Sequence, residues 1–331
     1  MTKAAANSPG IESWLKLAHA ENVGAVTFAK LVQHFGSPEA ALGASVGELE
    51  KIEGIGLKKA ERIAATREKF NTAAELELAH KLGVWIINIA DDRYPVVLRR
   101  IYDPPPVLYV KGTLSSKDNL AVAIVGSRRC SIYGQEQASR FAYLLSSAGF
   151  TICSGMARGI DSAAHQGALS AKGRTIAVQG CGLGHIFPPE NKKLFELICE
   201  SGACVSELPL NYEPLSGNFP GRNRIIAGLC LGTIVIEAAQ HSGALITAAA
   251  AMENNREVLA VPGKIDSPLN TGTHQLIKQG ARLVDSVEDI VEALGYIGER
   301  IRDYVADSAA CAAEEIDPPI LDGTQLKLSD Q

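Results

Sequence analysis

From Ala121 onward, short apolar runs alternate with segments whose apolar residues return every three or four positions. The runs 121-AVAIVG-126, 150-FTICSG-155, 174-RTIAVQG-180, 203-ACVSEL-208, 232-GTIVIEA-238 and 257-EVLAVPG-263 have the length and bounding glycines of buried strands. Between them the pattern predicts helices near 134–148, 160–171, 190–200, 222–230 and 243–254, with a last one over 286–294. Strand–helix alternation of this kind builds a doubly wound, mostly parallel sheet with right-handed crossovers. Two further runs, 84-VWIINI-89 and 107-VLYVKG-112, read as short strands flanking the 103-DPPP-106 turn in the lead-in to that sheet.

Residues 9–80 carry a different period and read as helical. The stretch 52-IEGIGLKKAERIA-64 has the pattern of a helix-hairpin-helix, a Gly-x-Gly turn feeding an amphipathic helix. A second copy lies 32 residues upstream in 23-VGAVTFAKL-31, where Val23, Gly24, Phe28 and Leu31 match Ile55, Gly56, Ala60 and Ile63. Glycine at such a turn lets the backbone approach a phosphate at a helix start; the same residues also suit a packing module that grips nothing. The chain thus divides into a small all-α helix-hairpin-helix/SAM-like domain over 1–82, an extended Rossmann-like domain over 83–298, and an acidic tail, expected to be disordered, over 299–331.

Charge refines this picture. The net charge is −5, but Glu299 to Gln331 hold eight acids against three bases, which accounts for all of it. Of the 37 acids and 32 bases in the chain, the remaining 29 and 29 balance, so any cationic patch is local. Seven scattered cysteines show no Cys-x-x-Cys spacing and suggest buried thiols in a reducing compartment, with neither metal nor disulfide framework. No apolar stretch approaches a membrane span, and the start MTKAAANSPG has no signal-peptide core, so the expectation is a cytoplasmic protein with no membrane partner.

In an open parallel sheet, ligands bind beyond the carboxyl ends of the strands, and the unusual residues cluster there. Gly126, Ser127, Arg128 and Arg129 follow the first strand. They sit where a dinucleotide fold has its Gly-rich turn, but two bulky cations replace the small residues that admit a pyrophosphate, so no cofactor is expected. Arginine suits phosphate, which it binds bidentately, and bases, on which it stacks; Arg128 could alternatively pair with a sheet-end carboxylate such as Glu237. After the second strand come Ser154, Gly155 and Arg158, with Asp161 and His165 one helical turn apart. That pair is either an acid/base couple or a cap beside a buried histidine. The stretch 218-NFPGRNRIIAGLC-230 places Phe219 next to Arg222, Asn223 and Arg224 at the expected start of a helix, where the macrodipole favours an anion over a cation. Stacking plus cationic tracking is how single strands are held without strict sequence preference; the plainer reading makes Phe219 a core plug and Asn223 a turn residue. Ser242 and Gly243 open another phosphate-ready helix, and Lys264 follows the last strand. No metal-ligand spacing and no clear nucleophile–base pair appears, so neither catalytic residues nor a metal are expected.

The motifs 124-IVGSRR-129, 154-SGMARGIDSAAH-165, 218-NFPGRNRIIAGL-229, 242-SGALITA-248 and 257-EVLAVPG-263 closely resemble those of the DNA-processing protein A (DprA/Smf) family, in the same order and over roughly residues 10–295. The resemblance implies a single-stranded DNA-binding protein without a known reaction, which protects incoming strands during natural transformation and helps load the RecA recombinase, usually as a homodimer. It implies a DNA-binding rim of Ser127, Arg128, Phe219, Arg222, Asn223 and Arg224, with Ser154, Gly155, Arg158, Ser242, Gly243 and Lys264 in support. Two departures stand out. The family's common Gly-x-Asn before the last sheet helix is 272-GTH-274 here, and the 33 residues after Gly298 are too few for the winged-helix domain that ends many members. Rossmann-like nucleotide phosphoribohydrolases are the alternative of another class. They carry a Pro-Gly-Gly-x-Gly-Thr loop, where this chain has 261-VPGKIDSPLNTGT-273.

Overall fold

The structure, a computed structural model, describes residues 6–295; the acidic tail predicted from Glu299 lies outside them. The helical segment comprises α1 (Ile11–Ala18), α2 (Ala25–Phe35), α3 (Pro38–Gly43), α4 (Val46–Leu49), α5 (Leu57–Thr66) and α6 (Thr72–Leu82). Ser37, Ser45 and Asn71 cap α3, α4 and α6 with side-chain oxygens. The internal repeat is present in three dimensions. Gly24 and Gly56 precede α2 and α5 with nearly the same backbone angles (φ −85, ψ 174 and φ −80, ψ 170). Val23, Phe28 and Leu31 meet Ile55, Ala60 and Ile63 in one core. Lys59 and its counterpart Thr27 join across the pair through an Nζ–Oγ1 hydrogen bond of 2.9 Å.

The rest of the chain forms a nine-stranded sheet: β1 (Val84–Asn88), β2 (Val107–Gly112), β3 (Ala121–Val125), β4 (Thr151–Ser154), β5 (Thr175–Val178), β6 (Ala203–Ser206), β7 (Gly232–Val235), β8 (Glu257–Ala260) and β9 (Arg282–Leu283). Its order is β1-β2-β6-β5-β4-β3-β7-β8-β9. Strands β3 to β8 pair in parallel, as their uninterrupted apolar runs predict. The two lead-in strands join the same sheet as an antiparallel hairpin, β2 lying against β6. Around the sheet run α7 (Val96–Arg99), α8 (Ile132–Ser147), α9 (Ile160–Ser170), α10 (Lys192–Ser201), α11 (Asn218–Gly228), α12 (Gly243–Glu253) and α13 (Thr271–Lys278), and residues 287–295 are also helical. Strand order reverses between β3 and β7, so the loops after those strands part and leave a crevice.

Several elements differ from expectation, among them α7 and β9, which the sequence pattern does not mark. The short helix α13 carries Gly272 and Thr273, poor helix formers, and the sequence pattern does not reveal it. Helix α11 begins at Asn218 rather than Arg222, with Pro220 tolerated in its first turn. Arg222 and Arg224 therefore stand in the second turn, past the positive end of the macrodipole.

The predicted boundary at 82/83 falls at Gly83, whose φ of +63 turns the chain from α6 into β1. Packing continues across it. Ile11 and Leu15 of α1 share a core with Val84, Ile86, Tyr109 and Phe195, while Leu17 belongs to the core of the helical segment. His19 adds a polar tie, its Nε2 lying 3.1 Å from the Tyr109 hydroxyl.

Candidate nucleic-acid interface

The crevice at the β3/β7 reversal opens into a cavity of about 1000 Å³. Its walls are the loop after β3 (Gly126 to Arg129), the loop after β7 with the start of α12 (Ala239 to Thr247), the first turns of α11 (Phe219 to Asn223), and Pro268, Leu269 and Thr271 beyond β8. A narrow side cleft continues from it, lined by Gly155, Arg158, Pro188 and the shared residues Arg128, Phe187, Phe219 and Arg222.

Local chemistry positions each wall. Gly126 is required by close approach: an added Cβ would lie 2.6 Å from Ile160 Cγ1 and 2.9 Å from Glu237 O. Ser127 N donates to Glu237 O at 2.8 Å, which joins the two loops across the reversal. The Glu237 carboxylate accepts from Ser131 N and Ser131 Oγ at 2.8 and 2.6 Å, and so is spent at the start of α8. It does not pair with Arg128. Among the described residues neither Arg128 nor Arg129 makes an ion pair, and both are exposed.

Phe219 is the hinge of the site. Two guanidiniums approach its half-buried ring, Arg128 Cζ at 5.2 Å and Arg222 Cζ at 5.8 Å from its centroid. Phe187 tilts against it at 5.5 Å. Both cations lie within cation–π range, and the ring lines the cavity.

Arg222 turns inward and is only 5% exposed. Its Nη1 donates to Gly155 O at 2.7 Å and to Val178 O, tying α11 to the ends of β4 and β5. This departs in part from its expected role: Nη1 is engaged by two backbone carbonyls, while Nε is buried without a hydrogen-bond partner among the described residues and the side chain still lines the cavity. Burial lowers its pKa, with Asp161 opposing that shift. Asp161 accepts from Gly155 N and Ala157 N at 3.2 and 3.3 Å, and burial pushes its carboxyl up while Arg222 pulls it back.

Arg224 also departs from expectation. It points away from the cavity and pairs with Glu207 and with Asp103, the latter at 3.2 Å. Asn223 does line the cavity, where its Nδ2 donates to Gly243 O at 3.2 Å and ties α11 to α12. Ser242 caps α12, accepting from Ala244 N at 3.3 Å, and Gly243 stands open beside it, so the helix start faces the cavity.

Ser154 is fully buried and its hydroxyl donates to Ile124 O at 2.7 Å, so it offers nothing to a ligand. Arg158 is in the side cleft, paired with Glu190. Lys264 is exposed but lies outside the cavity lining. The Asp161–His165 couple does not form. The Thr175 hydroxyl donates to Ile152 O, so His165 Nδ1–H donates to Thr175 Oγ1 at 2.7 Å, and burial lowers the imidazole pKa to about 3. Residues the sequence reading missed include Phe187, Gln240, His241 and Ile246. Gln240 and His241 lie between the runs 232-GTIVIEA-238 and 242-SGALITA-248, and Ile246 lies within the second; nothing local marks Phe187.

A family model described as DNA recombination-mediator protein A matches residues 85–295, and one described as the DprA-like N-terminal HHH domain matches residues 12–67. The chain belongs to the DprA/Smf family. Protein Smf of Synechocystis is 40% identical over 288 residues, 86% of this chain and 72% of that protein. DprA/Smf likeness extends to solved structures. DNA processing protein A from Streptococcus pneumoniae matches with a TM-score of 0.74 at 36% identity, covering 85% of this chain and 97% of that one. The family's Helicobacter pylori member, described for its single-stranded DNA binding mode, matches with a TM-score of 0.55 at 29% identity over 60% of this chain and 92% of its own. Among the described residues no helix is long and apolar enough to cross a membrane.

Proposed function

We propose that this DNA-processing protein binds single-stranded DNA in the β3/β7 crevice, protects it, and passes it to the RecA recombinase during transformation, acting as a homodimer and without a chemical step of its own. The observation that carries the reading is the Arg128–Phe219 pair, an unpaired exposed cation stacked on a half-buried ring at the mouth of a large cavity. The cation meets a phosphate and the ring meets a base. Ser127, Arg129 and the start of α12 at Ser242–Gly243 supply further anion-binding groups around it. None of these is arranged to read base edges, so sequence preference is weak. The separate commitments of Asp161 and His165 favour binding over catalysis. The likeness to a protein described for single-stranded DNA binding supports the same assignment.

The test is fluorescence anisotropy of a labelled single strand, with duplex of equal length alongside, at several salt concentrations. Single strand should bind better, and log K should fall with log salt by about 0.7 per phosphate contact. Arg128→Ala should weaken binding and flatten that slope. Equal, weak binding of both forms with no effect of the substitution would refute the assignment.

A further inference from the structure

Outside the crevice, the solvent face of α8 carries an unusual set of side chains, and the helix starts shortly after the Arg128–Arg129 turn. Tyr133 and Tyr143 are 52% and 46% exposed, and Ile132 is 78% exposed. Arg140 lies between the tyrosines and is also exposed. At 100° per residue, Tyr133, Arg140 and Leu144 fall almost in line, with Ile132, Glu136 and Tyr143 to one side. The buried residues Ala138, Phe141, Ala142 and Leu145 occupy the opposite face. The exposed face is thus an aromatic–cationic strip in which the two tyrosines stand about 15 Å apart along the axis and about 80° apart around it. Among the described residues neither Arg129 nor Arg140 makes an ion pair, and Glu136 is the single acid on the face.

We infer that this row is a second binding segment for single-stranded DNA, taking the part of the strand that leaves the crevice past Arg129. The inference rests on the crevice reading and extends it. Its occupant is chosen by charge and by continuity: the row begins at the cationic mouth of the cavity, and Arg129 and Arg140 alternate along the chain with the half-exposed side chains of Tyr133 and Tyr143. Aromatic faces interleaved with cations track a flexible polyanion whose bases are free to stack, and they do so without sequence preference. Ser131 fixes the near end of the row by its bonds to Glu237, so crevice and row keep one geometry.

The experiment measures the affinity of the whole chain for two labelled oligothymidylates, one of about four nucleotides and one of about sixteen, the span of site sizes over which stacking platforms act. The variants are Tyr133→Ala/Tyr143→Ala and Arg128→Ala. The tyrosine pair should lower affinity for the longer strand by about tenfold or more and leave the shorter one unchanged. Arg128→Ala should weaken both. If the tyrosine variant binds both lengths like the parent, the row is not a DNA segment. Sedimentation of the DNA-free protein is the second readout: dissociation of an oligomer on tyrosine substitution would assign the face to a second copy of the chain and overturn the inference. Loss of long-strand affinity in the tyrosine variant with no effect of Arg128→Ala would instead remove the crevice and keep the row.

Discussion

Replacing Arg222 separates two roles that the sequence leaves entangled. If its guanidinium is the internal tie described above, Arg222→Ala strips two buried carbonyls, Gly155 O and Val178 O, of their donor at the ends of adjacent strands. A buried polar group left unsatisfied costs about 1–3 kcal/mol, and removing one member of a buried charged cluster costs about 3–5 kcal/mol. Asp161 adds to the penalty, because it loses the cation that opposes its desolvation. The expected loss is about 3–5 kcal/mol, a large part of the roughly 5–15 kcal/mol of a typical domain. Arg222→Met restores most of the volume and none of the donors, so it should recover only a minor part; Arg222→Lys keeps the charge and should fall between. Urea unfolding followed by circular dichroism, extrapolated linearly to water, measures the difference. A phosphate-binding arginine predicts the reverse pattern: unchanged stability and a salt slope lowered by about 0.7. Stabilities of the Ala and Met variants within about 0.5 kcal/mol of the parent would refute the internal tie.

Gly159 has φ +75 and ψ −124 and its missing side chain faces Ser127 O, so Gly159→Ala should destabilise by about 1–3 kcal/mol and disturb the Arg128 turn, weakening DNA binding as well. Burial lowers the pKa of His165 to about 3 and of His19 to about 4, below the ordinary 6.5. As pH falls below about 6.5 the unfolded chain takes up protons that the folded chain refuses, so stability is full above that pH and drops by up to about 1.4 kcal/mol per unit per histidine. Urea midpoints between about pH 7.5 and 5 should show this fall, and a His19→Gln/His165→Gln variant should show a shallower one. The Arg93 side chain bonded to Asp91, helped by Ser8, holds that carboxyl well below the carboxylate range. Its contribution is present above about pH 4 and lost in acid, so the stability gap between the parent and Asp91→Asn should close as pH falls below about 4; a gap independent of pH would count against the pairing.

The parallel strands were legible because, buried on both faces, they read as unbroken apolar runs with glycine at their ends, and 121-AVAIV-125 is such a run. The tandem helical repeat was legible because its glycines and apolar residues recur at one offset. The direction of an arginine on a helix was not. Arg222 and Arg224 sit two positions apart and look alike in sequence, yet one meets the carbonyl ends of two strands and the other meets Glu207 and Asp103. Those partners come from distant parts of the chain, and only tertiary packing brings them within reach. The start of α11 was misplaced for a local reason, since Pro220 and Gly221 argue against a helix that the surrounding contacts nevertheless impose. The position of Ser154 at a strand end was correct, but its hydroxyl was already engaged by the neighbouring strand.

Helix α1 divides its apolar residues between two cores, giving Ile11 and Leu15 to the sheet and Leu17 to the helical repeat. Neither core can open without tearing apolar surface from a helix that the other also holds. Residues 6–82 and the sheet should therefore melt in a single cooperative transition, with amide exchange in the repeat slowed to a rate set by the sheet. A helical repeat too small to bury much surface on its own would in this way borrow the lifetime of its larger neighbour.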